Sequence, residues 1–542
     1  MEEFLAKAGA EGVAFVVERP TEASHGDYTT NAALVAAKQL NKSPRELGDE
    51  LSRHLIDSLG ATVASHISVA GPGFVNITLA REAVALAIAE ADAKGTEWGR
   101  GRMDAEQRVM VEYTDPNPFK EMHIGHLMSN VIGESLARLT ENEGAKVIRA
   151  NYQGDVGPHV AKAIWGLRKA GITEPSTARE LGEAYAAGSR AYEDSLGAKA
   201  EIDALNQAIY AGTDHALREE WRKGRDVSLA AFEQLYKVLG THFDYYFFES
   251  ETAESGTRIV QDGLNKGVFE ESEGAVIYRG EKQGLHTLVF ITSKGTPTYE
   301  AKDIGLAFAK EERAQTDRSI IVTAAEQIGH FKVMFAALGE IAPLIAKKTM
   351  HVPHGFLRLT TGKMSSREGN VITAAALIEE IIKKAGEKNP DPVIAEQVAI
   401  GAIKYMVLRQ SPGSDIIFDP EKSLSLEGDS GPYLQYALVR ARKILSYASE
   451  DENGTVVPHV PYPIERLILH FPEVAARAAA TLAPNLLVTY LTELASAWNA
   501  FYATEQVLGS PEEAYKQRIA RAFANTMTNG LALLGIPAPE RM

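Results

Sequence analysis

Two stretches of this chain carry residue types and spacings that suit phosphoryl chemistry. The first is Glu112-Tyr-Thr-Asp-Pro-Asn-Pro-Phe-Lys-Glu-Met-His123-Ile-Gly-His126; the second, more than two hundred residues later, is Thr361-Gly-Lys-Met-Ser-Ser-Arg-Glu-Gly-Asn370. Histidines at i and i+3 share one helix face. At a helix start they join free N–H groups and a partial positive charge. Two imidazole donors placed there can stabilise charge moving through an α-phosphate. Gly125 allows a base or ribose to come close to the backbone. The prolines set a rigid turn that aims Asn117 and Lys120 toward the same crevice. The second stretch is small, basic and flanked by glycine, as suits a loop that closes over a triphosphate, with Lys363 as a point cation. Taken alone, the first motif also fits two surface histidines or half a metal site, and the second a solvated basic turn. Their occurrence together, in this order, favours nucleotide chemistry.

The elements around them must form an α/β frame. Residues 108–113 read as a strand. Leu127, Val131, Ile132, Leu136 and Leu139 recur at helical spacing up to Gly144, and 146–152 read as the next strand, so a βαβ unit is expected. Residues 158–240 are helix-rich and charged, an expected helical insertion. Strand-like runs return at 275–278, 287–292, 319–323 and 349–359, a doubly wound parallel pattern split by the insert. Residues 1–100 suggest a small α+β domain, with a helix at 30–40, a strand at 73–79 and a linker at 95–102. After residue 372 the pattern is all-α, with helices expected at 374–385, 393–408, 433–448, 475–502 and 514–534. The expected domains are therefore 1–100, 101–372 and 373–542.

Composition sets outer limits. A chain of 542 residues implies about two to four domains. The absence of cysteine excludes a disulfide framework, a thiol nucleophile and thiolate zinc sites. No run approaches the roughly 20 apolar residues of a membrane span, and the start Met1-Glu-Glu-Phe lacks a basic leader. A cytoplasmic location is expected. The net charge of −16 weighs against a general nucleic-acid coat, so any nucleic-acid contact must use local patches. No Gly-x-Gly-x-x-Gly or P-loop run supports a dehydrogenase or P-loop enzyme.

The whole chain resembles the class I aminoacyl-tRNA synthetases, and within them the arginyl-tRNA synthetases. Besides the two stretches above, Ser24-His-Gly-Asp-Tyr-Thr-Thr-Asn31 and Gly71-Pro-Gly-Phe-Val-Asn76 resemble that family's N-terminal domain. Asn151-Tyr-Gln-Gly-Asp-Val-Gly157 resembles the element after the histidine motif, and Tyr433-Leu-Gln-Tyr-Ala-Leu-Val-Arg-Ala-Arg442 the opening of its anticodon-binding helices. The final Leu534-Gly-Ile-Pro-Ala-Pro-Glu-Arg-Met542 matches the family's usual end, so Met542 is expected to be the natural terminus. The resemblance implies adenylation of arginine by ATP, arriving with Mg²⁺ and without zinc, followed by transfer to tRNA(Arg), by a monomer with no membrane partner.

It also implies roles for single residues. His123, His126, Lys120 and Lys363 would be catalytic. Gly125, Met364, Ser365, Ser366 and Arg367 would join His123, His126 and Lys363 around ATP. Glu249 and Asp303 would face the guanidinium, a planar fork suited to bidentate carboxylates, with Tyr299 against it. Glu112, Asn117 and Gln327 would hold the amino and carboxylate ends. By spacing alone, Glu249 and Asp303 read as ordinary surface carboxylates. Such a pocket rejects smaller apolar amino acids without editing, because they leave its charges unpaired. Two departures stand out. Ser366 occupies the place of the general class I loop's second lysine, for which Lys120 is the implied substitute and Arg367 a second candidate. Asp115 stands where the family often has serine; an extra carboxylate there can help bind the α-amino group or hydrogen-bond the turn, and the turn role is favoured. Tyr433, Tyr436, Arg440, Arg442 and Lys443 would meet the anticodon arm through base stacking and phosphate contact; a solvated helix face is the plain alternative for the three cations. Residues 1–100 hold 9 basic and 14 acidic residues, so any tRNA contact there rests on a few points. Glutamyl, glutaminyl or cysteinyl specificity, a related nucleotidyltransferase and a non-catalytic tRNA-binding paralogue are the rival readings.

Overall fold

A computed structural model describes residues 1–20, 22–359, 372–447 and 456–542. Lys363, Met364, Ser365, Ser366 and Arg367 lie outside the described residues. By internal packing the chain forms two units: Met1–Gly99 with Ala437–Glu473 and Glu493–Asn529, and Arg100–Tyr436 with Val474–Thr492 and Gly530–Met542.

The second unit is built on five parallel strands: β1 (Arg108–Glu112), β2 (Lys146–Gln153), β3 (Tyr245–Phe248), β4 (Arg318–Ala324) and β5 (Thr349–His354), in the order β5-β4-β1-β2-β3. β1 and β4 are centred on short apolar runs because both faces are covered. Val109 and Val111 of β1, with Ile320 and Val322 of β4, pack under Leu136 and Ala137 of helix α1 (Ile124–Asn142). On the other face Met110, Ile148, Ala150 and Phe247 meet Leu306 of α3 (Tyr299–Ala314). Helix α2 (Glu249–Asn265) follows β3 directly, and α4 (Ile328–Ile341) follows β4. The chain moves outward from β1 through β2 to β3, then returns to place β4 on the other side of β1. This reversal opens a crevice at the carboxyl ends of β1 and β4, where ligands bind in open α/β sheets.

The insertion between β2 and β3 consists of helices Pro158–Ala170, Ala178–Asp194, Leu196–Ala211 and His215–Leu239 around their own apolar core of Val160, Ile164, Leu181 and Leu217. Three sequence expectations need correction. The runs near 275–278 and 287–292 do not join the parallel sheet; with Glu270–Ser272 they form a separate antiparallel sheet. Short apolar runs do not encode which sheet they enter. The run expected at 349–359 ends as β5 at His354, and Leu357–Leu359 pairs with Ile416–Phe418. The helix expected over 475–502 is two, Phe471–Ala480 and Pro484–Thr504, parted at Leu482, whose φ is 51°. Pro484 lacks the N–H that a continuing helix requires.

In the first unit, strands Val17–Glu18, Tyr28–Thr30, Phe74–Leu79 and Ala64–Ala70 form an antiparallel sheet in that spatial order. Ala33, Ala36, Leu47 and Leu51 of two helices pack with Val75 and Ile77. Arg81 pairs with the buried Glu465 at 2.9 Å, and Arg521 with Asp92 at 2.9 Å. Among the described residues no helix is long and apolar enough to cross a membrane.

Candidate active site

The crevice is a cavity of about 540 Å³. Its wall includes Glu112, Asn117, His123, Gly125, His126, Glu249, Tyr299, Asp303 and Gln327. These residues come from separate elements: the end of β1 and its turn, the start of α1, the starts of α2 and α3, and the turn before α4.

The turn after β1 is strained. Thr114, Asp115 and Phe119 have φ of 80°, 46° and 66°, each costing about 1–3 kcal/mol for a residue with a side chain. Neighbours hold it in place. Thr114 N–H donates to Ser129 Oγ at 2.9 Å, and Asn130 Nδ2 donates to Thr114 Oγ1 at 3.0 Å. Asp115 Oδ1 accepts from the Tyr152 N–H of β2 at 2.8 Å, a bond to the adjoining strand rather than within the turn. Burial first, and then Glu112, push the Asp115 carboxyl well up. Phe119 N–H donates to Ser228 Oγ at 2.9 Å, and its ring fills the space left by Gly224 in the insertion. The Lys120 ammonium lies 4.4 Å from the centre of the Tyr185 ring; Lys120 is not among the described wall residues of the cavity.

At the start of α1 the two histidines cap the helix reciprocally. His123 Nδ1 accepts from Gly125 N–H at 3.1 Å, and His126 Nδ1 accepts from His123 N–H at 3.2 Å. The rings stack with centres 3.6 Å apart. A side-chain carbon at Gly125 would come within 2.9 Å of the His123 ring. Because both Nδ1 atoms accept, the ring protons reside on Nε2. Burial, then Lys120 and His354, lowers His123; burial, His123 and Lys120 take His126 well below the usual value. Both imidazoles are neutral donors at pH 7. Beside them Ile124 N–H donates to Ile372 O at 3.2 Å and Ala374 N–H to Met122 O at 2.7 Å, so the chain just after the second motif is tied to the first.

The carboxylates at the other end are not ordinary surface groups. Glu112 and Glu249 are 3% and 5% exposed. Each acid meets an internal cation that the sequence reading missed. Glu112 pairs with Lys310, Glu249 Oε2 with Lys302 Nζ at 2.6 Å, and Asp303 Oδ2 with His330 Nε2 at 2.6 Å. One oxygen of Glu249 and one of Asp303 thus already have an internal partner, which leaves the other oxygen of each with the fewer contacts. Burial raises Glu249, with Lys302 opposing, and the carboxylate in turn holds Lys302 charged against burial. Burial pulls His330 down, but Asp303 and Glu300 outweigh it and hold the imidazolium at about 10. A side-chain carbon at Gly154 would come 2.3 Å from Asn117 Oδ1 and 3.1 Å from Glu249 Oε1, so a bare backbone forms this part of the wall. The only advance signal for Lys302 was its place in Tyr299-Glu-Ala-Lys-Asp303, on a helix turn already implicated.

Of the residues expected to meet RNA, Tyr433 and Tyr436 are half-buried and exposed, respectively. In the other unit the Arg440 guanidinium lies 3.9 Å from the Tyr502 ring centre and donates to Asn499 at 3.1 Å; Arg442 donates to Thr528 at 3.2 Å. Lys443 is exposed, with its ammonium 4.9 Å from the Tyr447 ring.

Known proteins share this arrangement of domains. The family model described as "tRNA synthetases class I (R), catalytic domain" matches residues 90–420, "DALR anticodon binding domain" matches 434–542, and "Arginyl tRNA synthetase N terminal domain" matches 1–79. The arginine–tRNA ligase of Treponema pallidum is 31% identical over 98% of this chain and 95% of its own. That of Flavobacterium psychrophilum is 29% identical over 92% of this chain and 90% of its own. The solved structure of Thermus thermophilus arginyl-tRNA synthetase superposes with a TM-score of 0.83 at 28% identity, covering 100% of this chain and 99% of that one. With a catalytic-domain match over more than half its length and relatives that span nearly all of it, this chain belongs to the arginyl-tRNA synthetase family.

Proposed function

We propose that the protein joins L-arginine to tRNA(Arg) at the expense of ATP. An arginine carboxylate oxygen attacks the α-phosphorus, the bond to the β-phosphate oxygen breaks, and pyrophosphate leaves arginyl-adenylate. The 2′- or 3′-hydroxyl of the terminal tRNA adenosine then attacks the carbonyl carbon and AMP departs. The observation that carries this reading is the convergence of a helix-start imidazole pair and a buried carboxylate cluster on one cavity at the sheet's switch point. His123 and His126 donate Nε2–H groups to the α-phosphate as its charge shifts, a task of positioning and electrostatics. Glu112, Asn117 and Gln327 hold the amino and carboxylate ends; Glu249 and Asp303 take the guanidinium, with Tyr299 against it. ATP enters as its Mg²⁺ complex over Gly125, and Lys363, Met364, Ser365, Ser366 and Arg367 act on its phosphates. Residues 101–372 serve as the catalytic domain, 1–100 as a tRNA-contacting domain and 373–542 as the anticodon-binding domain, where Tyr433, Tyr436, Arg440, Arg442 and Lys443 contribute. The protein works in the cytoplasm as a monomer.

Pyrophosphate exchange with each amino acid, with and without tRNA, tests the reading. Exchange is expected with arginine. Exchange with lysine or glutamate instead removes the specificity, and none with any amino acid plus total tRNA favours a non-catalytic tRNA-binding protein. Lys120→Ala is expected to slow adenylation with little change in the KM for arginine; an unchanged rate transfers the missing loop cation's role to Arg367.

A further inference from the structure

The Glu249–Lys302 pair is dry: the side chains are 6% and 5% exposed. Such a pair is a poor device for stability alone, because desolvating two charges offsets most of their attraction. Glu249 is part of the cavity wall and Lys302 is not among its described residues. The ammonium therefore stands behind the carboxylate and engages Oε2, while Oε1 stays on the Gly154 side. Asp303 also has one oxygen engaged, although here the partner, His330, itself lines the cavity. Its Oδ2 is held by His330 Nε2, and the other ring nitrogen of His330 faces Glu300 Oε1 at 3.4 Å.

We propose that Lys302 and His330 are specificity-determining positioning residues, each engaging one oxygen of a pocket carboxylate so that the cavity selects a guanidinium by the placement of single acceptors rather than by negative charge. The inference rests on reading the cavity as the arginine site. Without the two cations, Glu249 and Asp303 would present uncompensated charge that attracts any cationic side chain, lysine included. With them, Lys302 offsets the charge of Glu249, and His330 shares its single charge between Asp303 and Glu300, before the substrate arrives. A ligand then gains chiefly by bringing N–H groups to the remaining oxygens. A guanidinium spreads five N–H donors over a rigid planar fork, whereas an ammonium offers all three from one atom. The Lys302 ammonium also lies 5.2 Å from the Tyr299 ring and 5.7 Å from the Tyr210 ring.

The test is pyrophosphate exchange in the presence of tRNA, comparing kcat/KM for arginine and lysine in the full-length wild type, Lys302→Met and Lys302→Arg. The wild type is expected to use arginine and reject lysine. Lys302→Met should lower the arginine-to-lysine ratio by about tenfold or more, because the substrate ammonium now supplies the charge missing beside Glu249; Lys302→Arg should restore the ratio. His330→Asn should move it in the same direction as Lys302→Met. Equal losses for both substrates, or lysine exchange that stays undetectable in Lys302→Met, overturn the proposal, since damage to the fold alone leaves the ratio where it was. If Lys302→Met does not fold, the neutral Lys302→Gln carries the same expectation. A wild type that fails to exchange with arginine overturns the functional reading instead, which separates the two failures.

Discussion

The two ends of the cavity treat the same residue type in opposite ways. At the start of α1, His123 and His126 have their Nδ1 atoms committed to backbone N–H groups and are driven toward the neutral form. At the start of α4, His330 stands between two carboxylates and is held charged. Burial works against the charged form in both places, so the partners decide the outcome. Backbone donors require an unprotonated nitrogen, whereas carboxylates favour a proton on each. The phosphate end thus offers fixed neutral donors, which stabilise charge as it moves without clamping the ground state. The amino-acid end offers ion pairs that set where acceptors remain.

Breaking an ion pair is the severest challenge to this contrast. Glu249→Gln removes a guanidinium acceptor and leaves the Lys302 ammonium buried without its carboxylate. Arginine-dependent exchange should fall in kcat/KM by about 10²-fold or more. The unfolding free energy should fall by about 3–5 kcal/mol, as for other buried pairs broken from one side. Adding Lys302→Met should recover stability but not activity. If the single variant unfolds like the wild type, the pair contributes no more than a surface one and the amino-acid end is not organised by charge.

The histidine pair is next in size. In His126→Asn the side-chain oxygen can still accept from the His123 N–H, while the outward Nε2–H is lost. Single-turnover adenylate formation should slow by about 10²-fold, the usual cost of one lost donor to developing charge. The KM for arginine and the thermal midpoint should hold. His126→Ala loses the cap as well and should also cost about 1 kcal/mol of stability. A raised arginine KM in His126→Asn would mean that the two ends are not separate in function.

What the sequence makes legible follows the same division. The imidazole pair depends on local spacing and a helix start, so four residues and their flanks expose it. The parallel sheet is readable where strands alternate with helices, as in 108–152. Tyr245–Phe248 is a four-residue aromatic run that local pattern does not separate from the preceding loop. Ala275–Tyr278 and Leu288–Ile291 look like members of the parallel sheet but pair with each other. The counter-cations are harder still. Lys302, Lys310 and His330 reach their acids across different elements, at sequence separations that no helical or strand period marks. A residue can be placed on an element from sequence; the group it neutralises depends on how elements pack.

The expectation with the shallowest slope is a pH dependence of stability with opposite signs for the two histidine classes. An unfolded histidine titrates near 6.5. His330 is held at about 10 in the fold, so its contribution is complete below pH 6.5 and is lost as pH rises toward 10. His123 and His126 are lowered in the fold; their neutral state agrees with the unfolded chain above pH 6.5, and the wild type loses stability as pH falls below that value. Each proton changes the unfolding free energy by at most about 1.4 kcal/mol per pH unit. Urea unfolding of the wild type, His330→Gln and His126→Asn from pH 5 to pH 10 reads both signs. The stability advantage of the wild type over His330→Gln should be widest below pH 6.5 and shrink steadily toward pH 10. Against His126→Asn the wild type should be level above pH 6.5 and become the less stable of the two as pH falls below it. The Glu249–Lys302 pair remains in both variants and so cancels from each difference. A gap to His330→Gln that stays level above pH 6.5 and narrows as pH falls below it would mean that His330 is neutral in the fold; the two ends of the cavity would then hold one kind of histidine, and Asp303 would keep a free negative charge for the substrate to neutralise.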